Sequence, residues 1–312
     1  MHNKYPQFSW SLSRHNTLME CPRRYAFAYY FAYGGWQKGA SNFSKHIFRL
    51  KTLQSIHILY GSSIHNQIHG IVSELDNGSQ MPTEQKIIAG VRSDLNQAYQ
   101  ESKNQQALWY EKPTDSKMLS EIYYDNELSL ELIQELQMKL LVTTDNLLSC
   151  STFHDLLQRR KQIKIIAAEK FRCMELNGAK VWVVMDLVYR DLEKGKYIIV
   201  DFKTGKKSNS FGDRTQLILY GKYIQNIFNL DDSLEQIELR NEYLQDGTSV
   251  NYTPKSFDFD SIDYQIQTSM DRMYTYLVDE ENNTPKEIDS FDQTENISTC
   301  KRCSFKELCG RI

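Results

Sequence analysis

Asp186, Asp201 and Lys203 are the residues of this 312-residue chain whose types and spacing can do chemistry together. Asp201 and Lys203 lie in Ile198-Ile199-Val200-Asp201-Phe202-Lys203-Thr204-Gly205, where three β-branched residues and Phe202 read as a buried strand. Side chains alternate along a strand, so the two charged groups emerge on one face. Asp186 stands in a second apolar run, Val181 to Tyr189, where an isolated carboxylate is disfavoured unless something positive holds it. Two acids at close range raise each other's pKa unless a cation bridges them. Mg²⁺ meets that demand with oxygen ligands and retained waters. Lys203 can orient or deprotonate an attacking water, or neutralise a phosphate. The plain structural alternative is a three-member ion network on a sheet rim.

These residues need strands to carry them. Ile163–Leu176, Ala179 to Arg190 and Lys196–Lys203 have strand periodicity, and Asn177-Gly178 predicts a tight hairpin turn between the first two. The three form an antiparallel meander bearing Glu169, Asp186, Asp201 and Lys203. A helix over 212–228 follows, with Gln216 and Tyr220 one turn apart. Further strands are expected at 236–245 and 249–252, a helix at 258–278, and a polar linker over 279–299. Upstream, Ser11 or Ser13 can cap a short helix that stops near Cys21, because Pro22 disfavours a helical residue before it and suits the first turn of a second, aromatic-rich helix. Gly61-Ser62-Ser63-Ile64-His65 reads as another helix start, with His65 and His69 on one face. Residues 74–162, rich in Leu, Gln, Glu and Lys, read as a helical insertion.

Cys300, Cys303 and Cys309 crowd the C-terminus, while Cys21 sits far away at the helix junction. Four thiolates suit a [4Fe–4S] cluster or a structural zinc, and spacing alone does not separate the two. Cys150 and Cys173 have no such spacing and read as ordinary thiols.

The net charge of −3 excludes a generally basic nucleic-acid coat but not a nucleic-acid substrate reached through bound cations. Hydrophobic and charged fractions of 40% and 25% are those of a soluble globular protein. There is no apolar run near the ~20 residues a membrane span needs, and no signal-peptide core, so the expectation is a cytoplasmic protein without membrane contact.

Asp186 followed by Asp201-Phe202-Lys203 resembles the core motif of the PD-(D/E)XK nuclease superfamily. Ser11-Leu12-Ser13-Arg14 with Cys21-Pro22-Arg23-Arg24-Tyr25, then Gly61 to His65, Glu169, Asp201-x-Lys203-Thr204-Gly205 and Gln216-x3-Tyr220 are similar, in order, to the RecB-like branch. That branch includes CRISPR-associated adaptation exonucleases and the nuclease domains of AddAB-type helicase–nucleases. The resemblance implies a restriction-endonuclease-like α/β core with a mixed central sheet flanked by helices. It implies one nuclease domain over 1–312, with the insertion at 74–162, the catalytic core at 163–278 and a cysteine staple formed by 300–309 with Cys21. It also implies roles. Asp186, Asp201 and the Phe202 carbonyl would hold Mg²⁺ or Mn²⁺, and His65 would be a further ligand or would contact the scissile region. Lys203 would be catalytic, Gln216 and Tyr220 would position DNA or the site, and Glu169 would be an auxiliary acid. Cys21, Cys300, Cys303 and Cys309 would hold a [4Fe–4S] cluster. The activity implied is metal-dependent hydrolysis of DNA, as an exonuclease on single-stranded or end-exposed substrate. The alternative is a DNA-binding or scaffold subunit active only with a partner such as a helicase. A zinc-stapled protein unrelated to nucleic acid would explain the cysteines but not the ordered acids.

Overall fold

The computed structural model of the chain describes residues 4–207, 211–231 and 233–310; the side chains of 169–171 and 211 lie outside the described set. The elements begin with β1 (Ser9–Ser11), α1 (Leu12–Glu20) and α2 (Pro22–Ala26), which runs on as a π-helical turn, Phe27–Phe31. The helices α3 (Asn42–Thr52), α4 (Ile56–Asp76), α5 (Glu84–Asn104), α6 (Gln106–Glu111), α7 (Ser120–Asp125), α8 (Leu130–Ser149) and α9 (Ser151–Gln158) follow. Next come β2 (Ile163–Leu176), β3 (Ala179–Asp191), β4 (Lys196–Lys203), α10 (Phe211–Phe228), β5 (Ile237–Tyr243), β6 (Thr248–Tyr252) and α11 (Ser256–Tyr274). A small hairpin of β7 (Leu277–Asp279) and β8 (Thr284–Pro285) leads to α12 (Ile297–Lys301) and α13 (Lys306–Cys309).

The hairpin of β2 and β3 turns on Asn177 and Gly178, both at positive φ (50° and 74°), as a two-residue turn matched to strand twist requires. The central sheet is mixed: β2 and β4 run antiparallel to β3, β5 runs parallel to β4, and β1 runs parallel to β3. Since β2 occupies one edge of β3 along most of its length, β1 and β4 share the other. There β1 pairs with Lys180–Trp182 and β4 with Leu187–Asp191. Neither reaches residues 183–186 of β3, so the sheet has a gap on that edge.

Alternation along the strands feeds two cores. Ile199 and Leu239 pack toward α1, α10 and α11, while Ile198, Val200 and Phe202 pack toward α4, α5, α8 and α9. A third cluster joins Phe27, Ile47, Leu50 and Trp109 to Phe305 near the C-terminus. A buried charge knits α9 to the sheet: Arg240 donates to Asp155 (3.0 Å), the Tyr189 hydroxyl (3.1 Å), Thr152 (3.3 Å) and Glu238 (2.9 Å). Arg240→Met leaves buried acceptors without their cation, and we expect it to cost roughly 3–5 kcal/mol in urea unfolding; a loss below about 1 kcal/mol would contradict the network's role.

Three expectations need correction. The helix expected to start at Gly61 starts a turn earlier at Ile56, where the Ser55 hydroxyl accepts the Ile58 N–H; Gly61 is interior. Glycine there reflects a close approach, since a Cβ would meet the Thr204 hydroxyl at 3.3 Å. The helix expected to reach 278 stops at Tyr274, because Leu277 pairs with Pro285 in the β7–β8 hairpin. The stretch expected as a linker is packed: Phe291 is 0% exposed and stacks on Tyr276, ring centroids 4.6 Å apart.

Candidate active site

Four elements deliver the site. β4 carries Asp201 and Lys203 on one face, with Asp201 2% exposed. β3 and β4 part just beyond the Leu187–Val200 pair, and the Asp186 carboxylate takes over there by accepting the Phe202 N–H through Oδ2 at 2.7 Å. The ladder bond is thus replaced by a side chain, which fixes Asp186 beside Asp201 at the edge of the gap. α4 brings His65 one turn after Gly61, and its Nδ1 lies 3.2 Å from Asp186 Oδ1. α10 presents Asp213, Gln216 and Tyr220 at helical spacing on one face.

Lys203 Nζ is the hub. It lies 2.8 Å from Asp201 Oδ2, donates to Gln216 Oε1 at 2.8 Å and is 3.5 Å from Asp213 Oδ1. Gln216 Nε2 in turn donates to the Tyr220 hydroxyl at 2.6 Å, so the Gln216 amide orientation is set from both ends. Burial alone would lower the Lys203 pKa, but Asp201, Asp213 and Asp186 outweigh it and hold the amine above its ordinary value. Asp201 moves the other way from a usual paired acid. Burial and the neighbouring Asp186 push its carboxyl up to about 6 against the opposing pull of Lys203 and His65. Burial, with Asp201 nearby, likewise raises the Tyr220 hydroxyl, so it stays protonated.

The donor set fits a divalent cation. Asp201 Oδ2 is buried with an ion-pair contact to Lys203 but no hydrogen bond of regular geometry, and burial together with the adjacent Asp186 raises the pKa of its carboxyl. Asp186, Asp201, His65 and the Phe202 carbonyl could hold such an ion, although among the described residues no three His, Cys, Asp or Glu side chains stand close enough to form a ready-made ligand group. Phe202 contributes only backbone, since its ring is buried 6.0 Å from that of Phe153. Glu169 falls within β2, but its side chain lies outside the described residues.

Asp213 was not singled out by motif. It bridges Lys203 and the Tyr243 hydroxyl (3.2 Å), and the only available signal was its place three residues before Gln216. A second feature invisible in sequence is a groove of about 760 Å³ at the gap in the sheet. Ser11, Arg14, Tyr29, Trp182, Gln216 and Tyr220 are among its walls, and it opens beside the catalytic candidates. Arg14 lies over the Tyr29 ring at 4.7 Å.

The cysteines of the two termini also meet. Cys21, Cys300, Cys303 and Cys309 line one cavity together with Arg24 and Lys306. Cys21 is the N-cap of α2, its sulfur accepting the Arg24 N–H at 3.5 Å, and the Cys303 sulfur accepts the Phe305 N–H at 3.4 Å. Arg23 ties the same junction to the C-terminal segment, donating to the Phe291 carbonyl at 2.7 Å. Burial pushes the Cys303 thiol up to about 11, with Cys21 and Cys309 adding to the shift and the Phe305 N–H and Arg24 opposing it. Cys150 and Cys173 are not part of this group.

A mixed sheet between helical layers, with two aspartates and a lysine converging where its strands part, defines a nuclease-type α/β core. The chain belongs to the PD-(D/E)XK nuclease superfamily, whose family model matches residues 9–310. Members of this superfamily are generally nucleases and typically use Mg²⁺ or Mn²⁺. No curated protein sequence matches the chain. Among solved structures, that of SSO0001 is similar at 17% identity, covering 61% of this chain and 78% of that one with a TM-score of 0.30. Among the described residues no helix is long and apolar enough to cross a membrane.

Proposed function

We propose that the protein is a metal-dependent deoxyribonuclease of the RecB-like branch, acting as an exonuclease on single-stranded or end-exposed DNA in the cytoplasm. The observation that carries this reading is the convergence of Asp186, Asp201 and Lys203 at the sheet gap, with an open groove walled by Gln216, the hydrogen-bond partner of Lys203, and by Tyr220. Asp186, Asp201, His65 and the Phe202 carbonyl would hold Mg²⁺ or Mn²⁺. When bound, the cation supplies Lewis acidity toward the phosphate and neutralises charge that develops on its oxygens. Lys203, fixed by Gln216 and by Asp201, aligns the attacking water and adds positive charge. Hydrolysis forms a bond from the water oxygen to phosphorus and breaks the phosphorus–ester oxygen bond; the water loses a proton and the departing oxygen gains one. The whole chain acts as one nuclease domain in this reading, with 74–162 inserted into it and 163–278 as the catalytic core.

Cys21, Cys300, Cys303 and Cys309 would hold a structural [4Fe–4S] cluster that ties the chain ends together, with zinc as the alternative. What supports this is their meeting at one cavity, with backbone N–H groups already aimed at two of the sulfurs. Anaerobically purified protein is expected to show broad visible absorbance that Cys303→Ser abolishes, together with a lower melting temperature. Colourless protein carrying stoichiometric zinc would replace the cluster, and melting unchanged in Cys303→Ser would remove the staple.

The reaction is tested by incubating the isolated chain with end-labelled linear and with circular single-stranded DNA in Mg²⁺ or Mn²⁺. Cleavage confined to the linear strand supports the exonuclease. A second reading, in which the chain is a DNA-binding or scaffold subunit working only with a helicase partner, draws on α8, which exposes Leu130, Met138, Leu141 and Val142. DNA binding without cleavage, repaired by a helicase partner, would favour that reading.

A further inference from the structure

A second groove, of about 420 Å³, lies between the turn after the π-helical segment, α3 and α6. Its walls are Trp36, Phe48, Tyr110, Lys45, Arg49 and Lys112 among others. Trp36 and Tyr110 are 55% and 56% exposed, which is unusual for large rings unless something covers them. Trp36 leans on Phe48, with centroids 5.5 Å apart, and the Arg49 guanidinium carbon lies over the Tyr110 ring at 3.7 Å while Nε donates to the Tyr110 carbonyl at 2.6 Å. The rings are therefore held in place rather than swinging freely. Four cations, Lys38, Lys45, Arg49 and Lys112, outnumber the two acids Glu111 and Asp115 here, in a chain whose net charge is −3. Among the described residues, the ion pair between these groups is that of Lys112 with Asp115, loose at 4.0 Å.

Fixed aromatic faces interleaved with cations match single-stranded nucleic acid, whose bases stack while its phosphates track positive charge. A folded protein partner would call for a more apolar centre. Helix α3 also leads from this groove toward the catalytic one. At the far end of α3, Lys51 lies 5.6 Å from the Tyr29 ring, which Arg14 covers from its own position in the catalytic groove. From Lys51 to Lys45 is about 9 Å of helix rise. One short helix thus lines this groove with Lys45, Phe48 and Arg49 and, at its far end, meets Tyr29 of the catalytic groove's wall.

We propose that this face is a stacking platform for single-stranded DNA, holding the strand several nucleotides away from the bond that is cut. The identity of the ligand rests on the nuclease reading; the existence of the platform does not require that the catalytic site be active.

The test uses the full-length chain and oligodeoxythymidylates of two lengths in chelator. One is longer than the about 4–16 nucleotides a single binding fold covers, and the other is only long enough for the catalytic groove. Stacking is worth about 1–3 kcal/mol per base, roughly 5–150-fold. Trp36→Ala/Tyr110→Ala is therefore expected to bind the long strand at least about ten-fold more weakly. Its affinity for the short strand, and its rate of cutting that strand in Mn²⁺, should be those of the wild type. Lys45→Glu/Lys112→Glu, which keeps the rings, should show the same split together with a shallower salt dependence. Long-strand affinity unchanged in both variants would overturn the platform. So would a loss confined to an RNA of the same length. A wild type that binds the long strand, loses that binding in the variants, yet cuts nothing would leave the platform standing and sink the nuclease reading; a wild type that binds neither strand would sink both.

Discussion

Asp201→Asn is expected to eliminate cleavage, by at least about 10³-fold, and at the same time to make the protein more stable in chelator at neutral pH. The activity loss follows from removing one of the two carboxylates proposed to hold the cation, whose charge stabilisation is worth several kcal/mol at about 1.4 kcal/mol per ten-fold. The stability gain follows from the pKa. The folded carboxyl titrates at about 6, above its ordinary 3.8, because it is buried beside Asp186. A raised pKa means the folded state holds the proton more tightly than the unfolded chain. The associated stability is complete below the ordinary value and is lost as pH rises through about 6. Asparagine carries no charge to desolvate, so the variant escapes that loss. Part of the gain is offset because Lys203 loses its nearest partner, which leaves a net increase on the order of 1 kcal/mol and a rise of a few degrees in melting temperature. Melting curves in EDTA at pH 5 and pH 8 check this: the difference between wild type and variant should widen with pH. An equal or lower melting temperature for the variant at pH 8 would contradict the described electrostatics.

Lys203→Met should also lose cleavage, by about 10²–10³-fold, but should move stability in the opposite direction. Removing the ammonium leaves Asp201, Asp186 and Asp213 facing one another without their shared cation. Truncating one partner of a buried ion pair costs about 3–5 kcal/mol, and Lys203 is partly exposed, so the lower end applies. The Lys203 amine titrates above its ordinary value, so its contribution is present throughout the neutral range and disappears only at strongly alkaline pH. The wild-type advantage over Lys203→Met should therefore hold across neutral pH. Two inactive variants that diverge in stability separate a charged site from a merely structural pair, since loss of a simple salt bridge would destabilise from either side. Circular dichroism with urea unfolding reads the divergence directly.

Much of this site was legible in the sequence because its positions are fixed by local rules. Asn177-Gly178 set the register of β2 and β3, and the β-branched run before Asp201 set the strand that carries Lys203. Pro22 set the junction at which Cys21 stands. What was hidden depends on contacts between distant segments. β1 is three residues long and is held by Trp10, which is fully buried and donates to Ser269 at 2.9 Å; nothing near Trp10 in sequence announces that partner. Yet where β1 stops decides where β3 is left unpaired, and so where the groove opens. Asp213 was missed because a single acid in the first turn of a helix is ordinary, and only the fold brings Lys203 within reach of it. Polar composition hid the packing of 279–299, because one buried ring, Phe291, anchors a segment that is otherwise charged.

The most direct test of the central claim is cleavage of end-labelled single-stranded DNA by the isolated chain across a Mn²⁺ titration, set beside Asp186→Ala with its fold verified by circular dichroism. The predicted result is product that rises with metal, vanishes in EDTA and is absent in Asp186→Ala at every metal concentration. Product that persists in EDTA, or a rate in Asp186→Ala equal to that of the wild type, would contradict the assignment of this site.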